Sequence, residues 1–125
     1  MGTNEAANFA AGSNHGNRER IDLLMEAAAG KPVLWLTVKS MRTEGPYANK
    51  GMHGWNDALV KACAACSNLR VYDWAAEVQD DWFQDDGIHF TSDGYAERGR
   101  RTAHALARAF PATGRPAAGC VVGSD

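Results

Sequence analysis

Pro32-Val33-Leu34-Trp35-Leu36-Thr37-Val38 is a continuous apolar run, partly β-branched and opened by a proline. Its apolar residues do not alternate, and it is too short for a helix. It reads as a strand buried on both faces, the pattern of a parallel sheet. Leu69-Arg70-Val71-Tyr72-Asp73 reads as a second short strand. Upstream, Ile21, Leu24, Met25 and Ala28 recur at helical spacing, with Asn17 placed to cap that helix and Gly30 to stop it. Between the strands, about Trp55 to Cys66 is helical, with Leu59, Val60 and Cys63 on one side. The order helix, strand, helix, strand requires parallel strands joined by a crossover helix, hence an α/β fold.

The flanks are less regular. Residues 2–17 are rich in Gly, Asn, Ser and Ala and read as a loop. A long acidic and aromatic loop runs from Ala75 to Phe90. Thr91 or Ser92 then caps a last helix carrying Tyr95, Gly99, Ala103, Leu106 and Phe110 at helical spacing, and Pro111 ends it. Residues 111–125 are rich in Gly, Pro and Ala and read as a flexible tail. Two strands are too few to cover an open parallel sheet. The expectation is therefore a partial domain over residues 1–110, with its first strands missing from the N-terminal side.

The 125 residues suffice for one domain. Thirteen basic and fifteen acidic side chains give a formal charge of -2, which argues against a nucleic-acid partner. Arg98, Arg100, Arg101 and Arg108 cluster on the last helix and read as its solvated face. No stretch is long and apolar enough to span a membrane, and Met1 to Glu5 lack the basic and apolar regions of a signal peptide. Cys63, Cys66 and Cys120 are odd in number and form no disulfide framework. The Cys63-x-x-Cys66 pair lies in an alanine-rich run and reads as small buried helix residues.

Chemistry concentrates in Asp85-Asp86-Gly87-Ile88-His89-Phe90-Thr91-Ser92-Asp93-Gly94-Tyr95, the loop before the last helix. A carboxylate at Asp86, three residues before His89, is placed to accept a hydrogen bond from one imidazole nitrogen. That fixes the tautomer and frees the other nitrogen as a general base. Such a pair lacks only a hydroxyl to activate.

Asp86-Gly87-Ile88-His89, followed by Phe90-Thr91-x-x-Gly94-Tyr95, resembles the last conserved block of the SGNH (GDSL-type) hydrolases, where the Asp and His complete a serine triad. Gly2-Thr3-Asn4-Glu5 is similar to that family's Gly-x-Asn-Asp block, with Glu5 in place of the usual Asp. The stretch Asp73-Trp74, with Asp81-Trp82-Phe83-x-x-Asp86-Gly87, is most similar to SGNH domains associated with membrane acyltransferases. The resemblance spans about residues 2–110. It implies a three-layer α/β/α flavodoxin-like fold in which the two strands are the fourth and fifth. It also implies a serine esterase or O-acyltransferase acting on acyl esters, acetyl above all, carried by a small molecule or a glycan. Under it, His89 and Asp86 are catalytic, Asn4 donates to the oxyanion, and no cofactor or metal is required. Related domains are often extracytoplasmic.

The family's Gly-Asp-Ser block and its oxyanion glycine are not found here. Ser13 has no strand before it, Ser92 reads as a helix cap beside His89, Ser124 has no helix after it, and chance accounts for Ser40 and Ser67. The chain therefore reads as a fragment of such an enzyme. The alternative is an inactive remnant that binds a partner, or itself, through an exposed sheet edge. Trp82 and Phe83 read equally as acyl-pocket walls or as packing for the loop. Asp80, Asp81, Asp85, Asp86 and Asp93 do not match the spacing of a calcium loop.

Overall fold

In the computed structural model, which describes residues 1–125, three strands form one parallel sheet in the order β1-β2-β3. β1 is Val33–Leu36, β2 is Leu69–Tyr72 and β3 is Val121–Val122. Val33 pairs with Leu69 and Leu36 with Tyr72, while Val71 pairs with Val121. The helices are α1 (Thr3–Ala10), α2 (Asn17–Ala27), α3 (Asn49–Ala65), α4 (Trp74–Glu77) and α5 (Ser92–Ala109). The α/β class expected from the strand–helix order is the observed one.

Strand alternation sends side chains to two cores, one on each face of the sheet. Trp35, Leu69 and Val71 pack with Ala6, Ile21, Met25, Met52, Trp55 and Leu59 of α1, α2 and α3. On the other face Tyr72 and Val122 pack with Trp74, Val78, Phe83, Phe90, Ala105 and Ala109, with Leu34 and Leu36 against them. β1 is not buried on both faces as its apolar run suggested: only Trp35 is, and its neighbours are half-buried. The cause is that β1 is an edge strand, beside an apolar groove of about 340 Å³ lined by Met1, Leu24 and Val33–Leu36.

Three sequence expectations are corrected. Residues 3–10 form a helix, not a loop, because Ala6 and Ala7 bury against the body and the Glu5 carboxylate accepts the N–H of Gly2 at 2.5 Å. The segment 111–125 is not a flexible tail. It returns across the sheet, where Val71 donates its N–H to the Cys120 carbonyl at 2.8 Å and Arg70 Nε donates to the Ala117 carbonyl at 2.7 Å. Finally, Cys63 and Cys120 are joined in a disulfide, leaving Cys66 as the free thiol. Cysteine parity missed the bond because one of three thiols stays out of it.

Glu77 ties β3 to both neighbours. Its carboxylate accepts the N–H and hydroxyl of Ser124 at 2.8 and 2.6 Å, the Tyr72 hydroxyl at 2.8 Å, and Arg101 at 3.1 Å. Ser124 is thus a buried clamp, remote from any nucleophilic role. Burial alone would raise the Glu77 pKa, but the Ser124, Tyr72 and Arg101 hydrogen bonds outweigh it and hold the carboxyl at about 2. The same pair, through burial first and then the hydrogen bond to Glu77, pushes the Tyr72 phenol up. A carboxyl lowered in the folded state stabilises the fold above its ordinary pKa, and that contribution is lost as pH falls through about 2. Glu77→Gln should destabilise the chain by about 1–2 kcal/mol at pH 7. It should also flatten the acid limb of stability between roughly pH 4.5 and 2. Urea melts at pH 7 and pH 3 check both, and a wild-type acid limb in the variant would refute the assignment.

Candidate functional site

The chain leaves β1 through Thr37 and Val38 at the carboxyl end of the sheet, where open α/β folds place ligands. Asn56 of α3 pins this turn, accepting the Val38 N–H and donating to the Val38 carbonyl, both at 2.8 Å. Gly2 packs directly above. Its φ is +126°, and an added Cβ would lie 2.8 Å from Trp55 Nε1 and 2.9 Å from Val38 Cγ1. Only glycine brings the start of α1 so close, and this approach sets Asn4 at the cleft.

The loop bearing His89 is built by aromatic stacking. Trp82 lies parallel to Trp74 at 5.9 Å, Phe90 meets Trp74 edge-on at 5.7 Å, and Phe83 lies 4.8 Å from Phe90. Gln84 N–H donates to the His89 carbonyl and Thr91 N–H to the Trp82 carbonyl, both at 2.8 Å. Thr91, rather than Ser92, caps α5 by accepting the Gly94 N–H. Trp82 and Phe83 therefore pack the loop; neither lines the His89 cleft.

Asp86 and His89 meet as their spacing suggested. Asp86 Oδ2 lies 2.6 Å from His89 Nδ1, while Oδ1 accepts the backbone N–H groups of Ile88 and His89 at 2.8 and 2.9 Å. The His89 hydrogen bond first, then those two N–H groups, hold the Asp86 carboxyl at about 2. The carboxylate is thus ionised throughout the range in which an imidazole titrates. Three acceptor contacts orient it toward Nδ1, and no protein group bonds His89 Nε2.

His89 and Asn4 line one cleft of about 290 Å³, with Thr3, Glu5, Val38, Tyr95 and Arg98 among its walls. The Tyr47 hydroxyl donates to Asn4 Oδ1 at 3.1 Å, so the amide carbonyl is occupied and its N–H₂ is the end left to donate. Tyr47 was not singled out from sequence, since it is 43 residues from Asn4. No serine lines the cleft; Thr3 and Tyr95 supply its hydroxyls. The arginines of α5 are not a uniform solvated face. Arg100 and Arg101 pair with Glu97, Arg101 also with Glu77, and Arg98 turns to the cleft. No three His, Cys, Asp or Glu side chains converge to hold a metal, and no helix is long and apolar enough to cross a membrane.

Compared with protein-family models, curated proteins and solved structures, the chain matches none.

Proposed function

We propose that this chain carries the acid–base and oxyanion portion of an SGNH-type serine esterase or O-acyltransferase site, on a flavodoxin-like fold, acting on acyl esters. The observation that carries the reading is His89 held by Asp86 through Nδ1 in the same cleft as Asn4. His89 Nε2 would take the proton of an attacking hydroxyl and return it to the leaving group. Asp86 would hold the Nδ1–H tautomer and stabilise the imidazolium. Asn4 would donate to the oxyanion, where one donor is worth about two to three orders of magnitude in rate. The hydroxyl nucleophile of the family has no serine counterpart in this cleft, so the chain supplies the base and not the acyl acceptor. The Cys63–Cys120 bond supports an oxidising, extracytoplasmic setting.

The test reads the base itself. Nitrogen NMR of His89 should show a protonated Nδ1 and a bare Nε2 in the neutral ring. Asp86→Asn should abolish that preference. Slow p-nitrophenyl acetate hydrolysis should depend on His89 and vanish in His89→Ala, with no fluorophosphonate label on any serine. As the Asp86 pKa is lowered, the pairing should persist above about pH 4 and be lost as pH falls through about 2. An Nε2–H tautomer, or a ring indifferent to Asp86→Asn, would reduce the pair to a loop staple. The open β1 edge would then favour a binding module instead.

A further inference from the structure

Arg98 is the one arginine or lysine that lines the His89 cleft. It sits half-buried on α5, and its guanidinium carbon lies 5.8 Å from the centre of the Phe90 ring. Three hollows meet at it: the His89 cleft, the apolar groove along β1, and a third of about 370 Å³ with Leu36, Tyr95, Gly99 and Thr102. Its neighbours on the helix are neutralised: Arg100 by Glu97, Arg101 by Glu77 and Glu97. Arg98 makes no ion pair, and its Nε is buried without a hydrogen-bond partner. The one carboxylate lining the cleft, Glu5, is turned to the Gly2 N–H.

A half-buried guanidinium without a counter-ion has lost part of its hydration and gained no hydrogen bond in return, which is costly. Nε itself is closed off from the cleft, so a ligand meets the outer end of the guanidinium, whose two Nη groups present parallel N–H donors, a fork matched to a carboxylate. That outer fork is empty, and Arg98 lines the same cleft as the His89 imidazole and the Asn4 amide.

We infer that Arg98 is a specificity residue, and that the ester taken at His89 carries a carboxylate which the Arg98 fork holds while its acyl carbonyl faces Asn4. This rests on the esterase reading above for the ester and on Arg98 alone for the carboxylate, so the two are separable.

Three small probes separate them: acetoxyacetate, with ester and carboxylate; methyl acetoxyacetate, with the charge removed; and methoxyacetate, with the acetyl ester removed. Binding is followed by proton–nitrogen NMR titration, including the Arg98 Nε–H signal. Acetoxyacetate should bind about tenfold or more tighter than its methyl ester, the scale of one charge-assisted pair. It should shift the Arg98 Nε–H signal. Arg98→Leu should abolish the preference, and Arg98→Lys, which keeps charge without the fork, should restore only part of it. The amide spectrum shows at once whether each variant folds, and Arg98→Lys preserves the test if Arg98→Leu does not. Equal binding of the charged and neutral esters, or a preference that survives in Arg98→Leu or undiminished in Arg98→Lys, overturns the inference. Methoxyacetate binding as tightly as acetoxyacetate, still through Arg98, would uphold the carboxylate fork and remove the ester reading.

Discussion

Cys120→Ser should cost about 4 kcal/mol of stability, the loop-closure entropy of a cross-link between residues 57 apart. The sheet explains why so much hangs on one bond. β3 contributes two residues; alongside it the Val71 N–H pairs with the Cys120 carbonyl at 2.8 Å and the Asp73 N–H with the Val122 carbonyl at 3.2 Å. A two-residue strand cannot repay the ordering of the 10 residues that lead to it from Pro111. The disulfide to α3 does so by restricting the unfolded chain. Thermal unfolding should show the midpoint of Cys120→Ser, and of the wild type under reductant, falling by roughly 15 °C. Cys66→Ser should leave it unchanged, since Cys66 takes no part in the bond. Proteolysis of the reduced protein should begin within residues 111–125. An unchanged melting midpoint on reduction would show that the C-terminal segment holds without its tether.

Gly94→Ala should destabilise the chain by about 3 kcal/mol, against the helix-propensity expectation that alanine gains up to about 1 kcal/mol over glycine. Gly94 stands in the first turn of α5, directly under the His89 loop. A Cβ there would lie 2.7 Å from the Trp82 carbonyl oxygen, 2.9 Å from Trp82 Cβ and 3.1 Å from Phe90 Cβ. The nearest obstacle is backbone, and it already accepts the Thr91 N–H that closes the loop. The loop must therefore lift, taking His89 with it. Gly99, one and a half turns further on, has nothing within 4 Å of an added Cβ. Gly99→Ala should then stabilise by up to about 1 kcal/mol. Opposite signs for the two variants in urea unfolding, with His89 shifts altered only in Gly94→Ala, are the expected result. A Gly94→Ala protein as stable as wild type would mean that the loop does not rest on the helix as described.

How much of this was legible beforehand depends on the range of the interaction. Val33 to Val38 and Leu69 to Asp73 declared two parallel strands because burial on a sheet is written in local composition. Asp86 and His89 were legible for the same reason: their contact spans three residues, and the turn between them brings carboxylate and imidazole to 2.6 Å. Helix α1 was not: Ala6, Ala7 and Ala10 favour a helix, but the glycines and asparagines set among them, Gly2, Asn4, Asn8 and Gly12, gave the segment the look of a loop. The segment is held by Ala6 and Ala7 against the body and by the contact of Gly2 with Trp55. The third strand was hidden likewise, since Val121-Val122 is two residues among glycines and prolines.

The class of the fold, the crossover order of its first two strands and the Asp86–His89 pair follow from residues close together in the chain. Contacts between distant segments come from packing alone. Packing joined Cys63 to Cys120, locked Ser124 under Glu77, set Asn4 against Tyr47 and turned Arg98, alone among the α5 arginines, into the cleft. The physical reason is that a side chain's partner, and so its charge and reach, is fixed by whichever distant element packs against it. Arg98 and Arg101 are three residues apart on one helix, yet Arg101 pairs with Glu77 while Arg98 lies over the Phe90 ring and pairs with no carboxylate.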